Sequence, residues 1–366
     1  MKKVFSLPLL VLPLILLVGC GGDDEKSTTS NPATGGSSGS ASPAGESGPV
    51  TLRLGYFPNI THATPLVGLQ RGTYQEVLGP NVTLETKTFN AGPAAIEALF
   101  AGAIDATYIG PNPSINGYTQ SDGEALRIVA GATSGGALLV VRPEAGIKEA
   151  KDLDGKKIAS PQLGNTQDVA LRKYLLDNGL GARESGGNVN VIPAQNPDTL
   201  NLFKQGDIDG AWVPEPWATR LIQEAGGEVF LNEKDLWPDG KFVTTHLIVS
   251  TRFLEEHPAT VKKLVQANVE ITQWIGDHPA EAQQLANKGI ENATGAALTP
   301  AVIEAAWKNL EITYDPITSS LFGSAESARA LGFIDEVPGP DIYSLDLLNQ
   351  VLAEKGIAPV KLEGGG

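Results

Sequence analysis

The feature that most constrains this sequence is an internal echo at a spacing of 104 residues. The segment Gly102–Asp105 reads Gly-Ala-Ile-Asp, and Gly206–Asp209 reads Gly-Asp-Ile-Asp. Downstream, Tyr108–Ile109 falls on Trp212–Val213 at the same spacing. Solenoid repeats have periods of roughly 20–50 residues, so a period this long indicates two similar lobes instead.

Both copies of the repeat predict the same order of structural elements. Pro93 and Pro197 stand where proline can occupy the first turn of a helix, and a glycine turn and a short apolar strand follow. Each strand then runs into a proline-rich loop, Gly110–Pro113 in one copy and Pro214–Trp217 in the other. Because the strands match, we predict that both loops face one cleft.

Strands alternate with helices along most of the chain, which predicts parallel sheets with right-handed crossovers and an α/β fold of two Rossmann-like lobes. A chain of 366 residues also exceeds the usual size of one core. We predict lobe 1 from residues 51–141 and 245–366 and lobe 2 from residues 142–244. The two hinge crossovers are predicted near Val140–Arg142 and Thr244–His246.

The amino terminus has the pattern of a targeting segment. Lys2 and Lys3 precede the apolar run Val4–Gly19, which is short for a membrane span. The run ends in Leu-Val-Gly-Cys at 17–20, which resembles a bacterial lipobox. We therefore predict a signal peptide over residues 1–19, lipidation of Cys20, and a flexible linker to residue 50. Cys20 is the only cysteine, so none remains for a disulfide, a thiolate nucleophile or a zinc site.

The net charge of −15 argues against a nucleic-acid partner, which would require a basic face. It leaves the charge of a small ligand open, because a local site can oppose the charge of the whole protein.

Together, four segments resemble one family: Leu-Arg-Leu-Gly-Tyr-Phe at 52–57, the two Gly-x-Ile-Asp turns, Glu-Pro-Trp at 215–217, and Phe-Leu-x-x-His-Pro at 253–258. These are the substrate-binding proteins of nitrate, sulfonate and taurine ABC transporters. The resemblance covers about residues 51–359. It implies a type II periplasmic-binding-protein fold, capture of a small solute, and delivery to an ABC permease. With the lipobox, we expect a monomer on the extracytoplasmic side, in the periplasm or at the outer face of the plasma membrane, held to the cell membrane by its lipid. We expect no cofactor. We also expect no enzymatic activity, because Cys20 is used by the anchor and no Ser/His/Asp spacing or His/Glu metal pair stands out.

Ligands of open α/β sheets bind beyond the carboxyl ends of the strands. Five loops meet that condition, at 57–62, 110–114, 134–136, 162–167 and 214–217. The predicted ligand contacts are Tyr56, Phe57, Asn59, His62, Pro111, Asn112, Ser134, Gly135, Gln162, Asn165, Thr166, Trp212, Glu215, Trp217 and His246.

The turn Gly164-Asn165-Thr166 resembles the family's anion-holding turn, where backbone N–H groups and the helix dipole would receive an oxyanion. The alternative is a plain side-chain cap by Asn165 or Thr166, which would stabilise the helix by about 1 kcal/mol. For His62 and His246 the alternative to a ligand contact is a structural role, and Trp212 could belong to the core.

The charge of the solute stays open in the sequence. The five loops contain no lysine or arginine, whereas Glu215 lies between aromatic residues and resembles a cage for a cation. A zwitterion such as taurine would suit both halves, with a cationic guanidinium or amine as the alternative. Glu215 could instead pair with Arg220 or Lys241. A distant alternative is an enzyme similar to the pyrimidine-synthesising proteins of thiamine biosynthesis, which share a related fold.

Overall fold

The computed structural model describes residues 48–363, and these form two sheets with helices packed around them. The predicted signal peptide, Cys20 and nearly all of the linker lie outside the described residues.

The first sheet defines lobe 1 and has the strand order β11-β4-β10-β3-β1-β2. Its strands are β1 (Val50–Tyr56), β2 (Val82–Thr88), β3 (Ala106–Ile109), β4 (Leu126–Gly135), β10 (Val243–Ser250) and β11 (Leu310–Ile312). The second sheet defines lobe 2 and has the order β7-β6-β8-β5-β9. Its strands are β5 (Ala137–Val141), β6 (Lys157–Ser160), β7 (Asn190–Pro193), β8 (Gly210–Pro214) and β9 (Glu228–Asn232).

The α-helices of lobe 1 are α1 (Ala63–Arg71), α2 (Thr73–Leu78), α3 (Gly92–Phe100), α4 (Pro111–Gln120), α8 (Thr251–Glu256), α9 (Pro258–Asp277), α10 (Pro279–Thr294), α11 (Pro300–Trp307), α12 (Thr318–Ala330) and α13 (Asp346–Glu354). Those of lobe 2 are α5 (Thr166–Asp177), α6 (Asn196–Gln205) and α7 (Trp217–Ala225). Several begin with proline in their first turn, where its missing N–H is not needed for the helix.

The two repeated sequence segments have equivalent backbone structures in the two lobes. In lobe 1, β1 pairs in parallel with β3 through Leu54 and Ala106; in lobe 2, β6 pairs in parallel with β8 through Ile158 and Gly210. Each residue of the second pair lies 104 positions after its counterpart. In both lobes the next strand joins antiparallel, β10 against β3 and β5 against β8. The prediction of two similar α/β lobes is confirmed.

The Gly-x-Ile-Asp turn works in the same way in both copies. Gly102 and Gly206 have φ of 64° and 81°, a left-handed conformation that costs glycine little. The aspartate that ends each turn accepts a hydrogen bond from a neighbouring strand, Asp105 from Arg53 N at 2.9 Å and Asp209 from Lys157 N at 2.8 Å. This short motif therefore ties the start of each buried strand to its parallel partner.

The strand over residues 137–141 pairs with β8 and β9, so it belongs to lobe 2 and not to lobe 1 as its predicted bounds had it. The predicted hinge at Val140–Arg142 therefore moves back to Gly135–Gly136, where both glycines have φ of 76°. The second crossover precedes Thr244–His246, which lies within β10, and runs through residues 233–242. The sequence of an apolar strand does not show which sheet the strand joins. The predicted boundary between lobe 1 and lobe 2 was therefore misplaced.

The two crossovers lie side by side. Phe242 N donates to Ser134 Oγ at 3.3 Å, Gly135 N donates to Phe242 O at 3.3 Å, and Thr244 Oγ1 donates to Gly135 O at 2.5 Å. Adjacent crossing segments of this kind can act as a hinge, because few residues need to change conformation when the lobes move.

Candidate functional site

A small cavity, here called the inner cavity, lies between the two lobes beyond the carboxyl ends of the strands. Its volume is about 20 Å³, enough for roughly one or two water molecules. It is lined by Phe57, Asn59, Thr61, His62, Asn90, Gly110, Asn165, Thr166, Gln167, Asn196, Pro214, Thr244 and Thr245. The small volume means that the lobes are closed upon each other.

Three helices begin at the wall of this cavity. The N-cap residues of α4 and α5, Gly110 and Asn165, line it, as does Asn196, the first residue of α6. In none of the three does the N-cap side chain accept a hydrogen bond from a backbone N–H of its own helix: Gly110 has no side chain, and the Gln195 oxygen, at the N-cap of α6, accepts from Asn90 instead. Asn165 is therefore not the plain side-chain cap that was the alternative to an anion-holding turn. The first turns of α5 and α6 have N–H groups without a side-chain cap, whereas α4 begins Pro-Asn-Pro and adds mainly its positive dipole end. Three helix N-termini at this wall favour a bound anion.

Three buried polar atoms in the same wall have no partner within the described residues: Thr166 Oγ1, Asn196 Oδ1 and Thr245 Oγ1. A buried polar group without a hydrogen bond costs free energy, so such atoms are rare unless a ligand or water serves them. Two of the three are hydroxyl groups, which can donate as well as accept. The amide of Asn196 can present either its oxygen or its NH₂ group to the cavity.

His62 contributes a neutral donor. Its Nδ1 accepts a hydrogen bond from Phe57 N at 3.3 Å, and its ring stacks on that of Phe57 with centroids 4.5 Å apart. Burial lowers the pKa of His62 to about 3, so the imidazole is uncharged at neutral pH. Because Nδ1 accepts, the proton is assigned to Nε2, which can donate to an oxyanion.

The wall of the inner cavity contains no lysine, arginine, aspartate or glutamate. It offers amide groups, hydroxyl groups and the His62 imidazole, without a formal charge. This is a wall that can hold a small oxyanion by dipoles and hydrogen bonds but gives a cation no carboxylate.

Five of the predicted contacts line the inner cavity, namely Phe57, Asn59, His62, Asn165 and Thr166. The remaining ten lie elsewhere. Gln162 is exposed and lines an outer groove, and Trp217 lines a neighbouring cavity. Ser134 and Gly135 belong to the hinge.

Four others serve the packing of lobe 1. Tyr56 and Pro111 are buried there, and Asn112 Nδ2 donates to Ser324 O at 3.3 Å on α12. His246 is fully buried, and its Nε2 lies 2.7 Å from Ser114 Oγ. His246 does not line the inner cavity, and its buried Nδ1 has no partner among the described residues.

The aromatic and carboxylate cage is absent, because neither Trp212 nor Glu215 lines the cavity. Trp212 is fully buried in lobe 2, and its Nε1 donates to Glu233 Oε2 at 2.7 Å. Glu215, also fully buried, accepts from Thr219 N at 3.0 Å, from Thr219 Oγ1 at 2.9 Å and from Asn309 Nδ2 at 2.6 Å. Its carboxylate is therefore satisfied without a ligand.

The ion pairs suggested for Glu215 are also wrong. Arg220 binds Glu224 at 2.7 Å, and Lys241 lies 3.9 Å from Glu311. Glu215 instead joins the lobes, since Asn309 follows α11 of lobe 1. A second hydrogen bond between the lobes runs from Trp217 Nε1 to Asn59 Oδ1 at 2.9 Å.

Sequence reasoning missed the loops after β2 and β7, which supply Asn90 and Asn196. These strands are counterparts in the two lobes, and the rule that selected the other loops applies equally to them. Thr244 and Thr245 were missed as lining residues because they lie within β10, where an antiparallel strand enters the cavity wall.

The chain belongs to the NMT1-like family, whose sequence profile matches residues 45–289. A binding protein of Brucella abortus is 28% identical over 219 residues, 59% of this chain, and the match spans 64% of that protein's length. The taurine-binding periplasmic protein of Escherichia coli is 26% identical over 52% of this chain and 57% of its own. A Bacillus subtilis protein named for binding aliphatic sulfonates is 24% identical over 98% of this chain and 97% of its own.

Two solved structures share the fold. The alkanesulfonate-binding protein of Xanthomonas axonopodis, bound to MOPS, superposes with a TM-score of 0.65 at 20% identity, over 80% of this chain and 96% of that one. The periplasmic nitrate-binding protein of Synechocystis superposes with a TM-score of 0.66 at 17% identity, over 83% and 88%. The chain therefore has the two-lobe fold of the ABC substrate-binding proteins, as the sequence predicted. Within residues 48–363, no helix is both long and apolar enough to cross a bilayer.

Proposed function

We propose that this protein is the extracytoplasmic solute-binding component of an ABC importer. It captures a sulfonate-, taurine- or nitrate-type oxyanion between its lobes and delivers it to a permease. The observation that carries the proposal is the wall of the inner cavity, where three uncapped helix N-termini and three unpartnered buried polar atoms converge without a charged side chain. The names of the relatives support the same solute class.

The wall also determines how the solute is held. An oxyanion would accept from the first-turn N–H groups of α5 and α6, from the Thr166 and Thr245 hydroxyls and from His62 Nε2. These donors come from both lobes, so closure around the anion would bring them together and shield them from water, where their electrostatic attraction to the anion is stronger. A solute with an ammonium group alone would find no carboxylate among the lining residues.

Thr166→Val should weaken binding of nitrate or methanesulfonate by about tenfold, since one hydrogen bond to a charged group contributes roughly 1.5 kcal/mol or more. Valine keeps the shape of threonine, so the loss reports the hydroxyl. Isothermal titration calorimetry of both variants with the two anions makes the measurement. Thr272→Val is the matched control, because that buried hydroxyl also lacks a partner but lies on α9, away from the cavity. Equal affinities in the Thr166 variant and the parent, or a parent protein that binds no oxyanion, would contradict the proposal.

We further propose that the protein is a lipoprotein, cleaved before Cys20 and held at the outer face of the cytoplasmic membrane by acyl chains on that residue. Two or more acyl chains give stable anchoring that one chain does not. The segment between Cys20 and β1 is rich in serine, glycine and proline and would serve as a tether.

Cys20→Ser should abolish lipidation and leave an unprocessed precursor that retains residues 1–19. Metabolic labelling with a fatty acid and mass spectrometry of the intact protein test this directly. A variant that is processed and held at the membrane like the parent would refute the lipobox assignment, without affecting the proposal for the solute.

A further inference from the structure

Glu215 and Asn309 lie on either side of the first crossover between the lobes. On the lobe 2 side, Glu215 N donates to Gly136 O at 2.8 Å. On the lobe 1 side, Asn309 directly precedes Leu310, which pairs with Gly135 where β11 meets β4. A Cβ atom at Gly135 would lie 2.7 Å from Asn309 O, so the two segments approach closely at this point. The hydrogen bond from Asn309 Nδ2 to Glu215 Oε1 at 2.6 Å therefore spans the two glycines of the hinge.

The surroundings of the Glu215 side chain suit an ionised carboxylate. The side chain is fully buried, and it accepts from Thr219 N, a group that can only donate, at 3.0 Å. Thr219 lies in the first turn of α7, whose positive dipole end also favours an anion. Burial raises the pKa of this carboxyl group, and the hydrogen bonds from Thr219 and Asn309 oppose the rise. Because Asn309 belongs to the other lobe, the carboxylate has all of its donors only when the lobes are closed.

The charge of Glu215 distinguishes its bond from the other contacts between the lobes. Among the described residues, the other side-chain hydrogen bonds between the lobes join uncharged groups and measure 2.8–3.3 Å; they run from Asn90 to Gln195, from Asn116 to Gly164, from Trp217 to Asn59 and from Gln223 to Ala301. Charge-assisted hydrogen bonds are shorter than neutral ones and roughly twice as strong. The bond to Glu215 is therefore the side-chain hydrogen bond between the lobes that should contribute most to the closed state.

We propose that Glu215 is a positioning residue of the hinge, whose charge-assisted bond to Asn309 fixes the angle at which the lobes close around the solute. The inference rests on the proposed function and adds a residue that controls closure without touching the solute, since neither Glu215 nor Asn309 lines the inner cavity. When the lobes part, the Asn309 amide moves away with lobe 1, and water must replace it beside the carboxylate. A change that disfavours the closed angle should weaken binding of every solute by a similar factor, because each solute binds the closed state more tightly.

Asn309→Asp should weaken binding of nitrate and of methanesulfonate by at least about tenfold, because it places a second carboxylate where the first needs a donor. Glu215→Gln should weaken binding by about fivefold or less, since the Asn309 amide can turn its oxygen toward the new NH₂ group and only the charge is lost. Isothermal titration calorimetry with the two anions makes the measurement. Asn292→Asp is the matched control, because the Asn292 amide donates to Gln70 Oε1 at 3.0 Å within lobe 1. It should leave both affinities unchanged.

The two changes together separate a role of this hydrogen bond from general damage to the fold. In the double variant the glutamine amide can donate to the new aspartate, so the bond re-forms with its donor and acceptor exchanged, while the amide oxygen still accepts from Thr219 N. The double variant should bind both anions within about fivefold of the parent, although Asn309→Asp alone loses tenfold or more. If Asn309→Asp binds like the parent, or if Glu215→Gln does not restore its affinity, the positioning role is wrong.

Distances between two spin labels measure closure independently of the calorimetry. Ser185 of lobe 2 and Ala101 of lobe 1 are exposed and do not line the inner cavity. Cysteines at both positions can be labelled in a Cys20→Ser chain, which has no other thiol. Asn309→Asp should reduce the fraction of molecules at the distance of the closed structure, with and without methanesulfonate, and Glu215→Gln should restore that fraction.

The outcomes separate this inference from the proposed function. If the anions change neither the heat nor the label distances of the parent, the proposed function fails, and the closed fractions of the variants without solute still test the role of Glu215. If methanesulfonate binds and closes the parent but closes Asn309→Asp equally, the proposed function stands and the positioning role is overturned. A parent that never populates the closed distance, with or without the anion, would overturn both.

Discussion

Acidification from pH 7 to pH 4.5 should weaken the fold by about 3 kcal/mol through each of two buried histidines, His62 and His246. Burial lowers the pKa of each imidazole from 6.5 to about 3. In the unfolded chain these groups gain protons as the pH falls through 6.5, whereas the folded protein keeps them neutral until about pH 3. Their contribution to stability is therefore fully present above pH 6.5 and is lost progressively between those two values.

Glu233 opposes this effect. Burial raises the pKa of its carboxyl group from 4.5 to about 7, even though the indole N–H groups of Trp212 and Trp237 donate to it. The folded state thus holds a proton that the unfolded state releases between pH 4.5 and 7, so this group stabilises the fold as the pH falls through that window. Its contribution is comparable to that of one histidine and does not cancel both.

Urea unfolding at pH 7 and pH 4.5 measures the net change in the free energy of unfolding. Variants then separate the contributions of the histidines from that of Glu233. His246→Gln should make the loss on acidification smaller, because one buried imidazole no longer has to gain a proton. Glu233→Gln should make the loss larger, because the opposing group is gone. If both variants show the same pH dependence as the parent, these assignments are wrong.

Proton NMR gives an independent check, since the chain has only four histidines. The imidazole signals that disappear in His62→Gln and His246→Gln should not titrate between pH 7 and the onset of unfolding. His62 is the more informative of the two, because it lines the inner cavity and its neutrality determines which nitrogen can donate to the solute.

The repeated architecture could be predicted because it depends on short local signals. Proline at a helix start and glycine at the turn before a buried strand act over a few residues, and each recurs at the same spacing in the second lobe. The aspartate of each turn even makes the same bond to its neighbouring strand. Structural features that depend on a few neighbouring residues, such as these turns and helix starts, can therefore be predicted from the sequence alone.

The errors concern contacts that are distant in sequence. Asn309 lies 94 residues after Glu215, and Glu233 lies 21 residues after Trp212. Each partner converts a predicted ligand contact into an internal hydrogen bond. A buried carboxylate is too costly to leave unpaired, but the residues that satisfy Glu215 could not be identified without the fold.

The candidate site could be predicted only in part for a related reason. The rule that ligands bind beyond strand ends selected the edge of each sheet where the inner cavity lies, and therefore five of its lining residues. It could not show which side chains at that edge turn inward to the core. Asn112 and Asn59 both follow a strand of lobe 1, yet the first bonds to α12 and the second lines the cavity.

Gly110→Ala should weaken solute binding by roughly 5- to 150-fold, because it should prevent the lobes from closing completely. A Cβ atom at Gly110 would lie 2.3 Å from Thr166 Oγ1, which belongs to the opposite lobe. Within its own lobe the nearest atom would be Thr244 O at 3.5 Å, an ordinary contact. Gly110 has φ of −76° and ψ of 164°, which alanine adopts without strain. The clash therefore exists only in the closed state.

A change of Thr166 rotamer would not relieve the clash with the added methyl group at low cost. Its side chain is branched at Cβ, so a rotation that moves the hydroxyl away brings the Cγ2 methyl group toward the other lobe or disturbs the start of α5. Overpacking a tight contact of this kind costs about 1–3 kcal/mol, the range from which the expected loss of affinity is taken. Because the solute binds the closed state more tightly, a penalty on closure appears directly in the dissociation constant.

Calorimetry with methanesulfonate and small-angle scattering at saturating solute make the test together. The parent should become more compact with solute, whereas Gly110→Ala should bind weakly and stay closer to its solute-free radius of gyration. Its thermal unfolding without solute should match that of the parent, since no contact within lobe 1 is disturbed. Thr166→Ala in the Gly110→Ala background removes the obstructing atoms, so the two changes together should cost less than the sum of their separate effects. A Gly110→Ala protein that compacts and binds like the parent would show that the contact between Gly110 and Thr166 is not part of the solute-bound state.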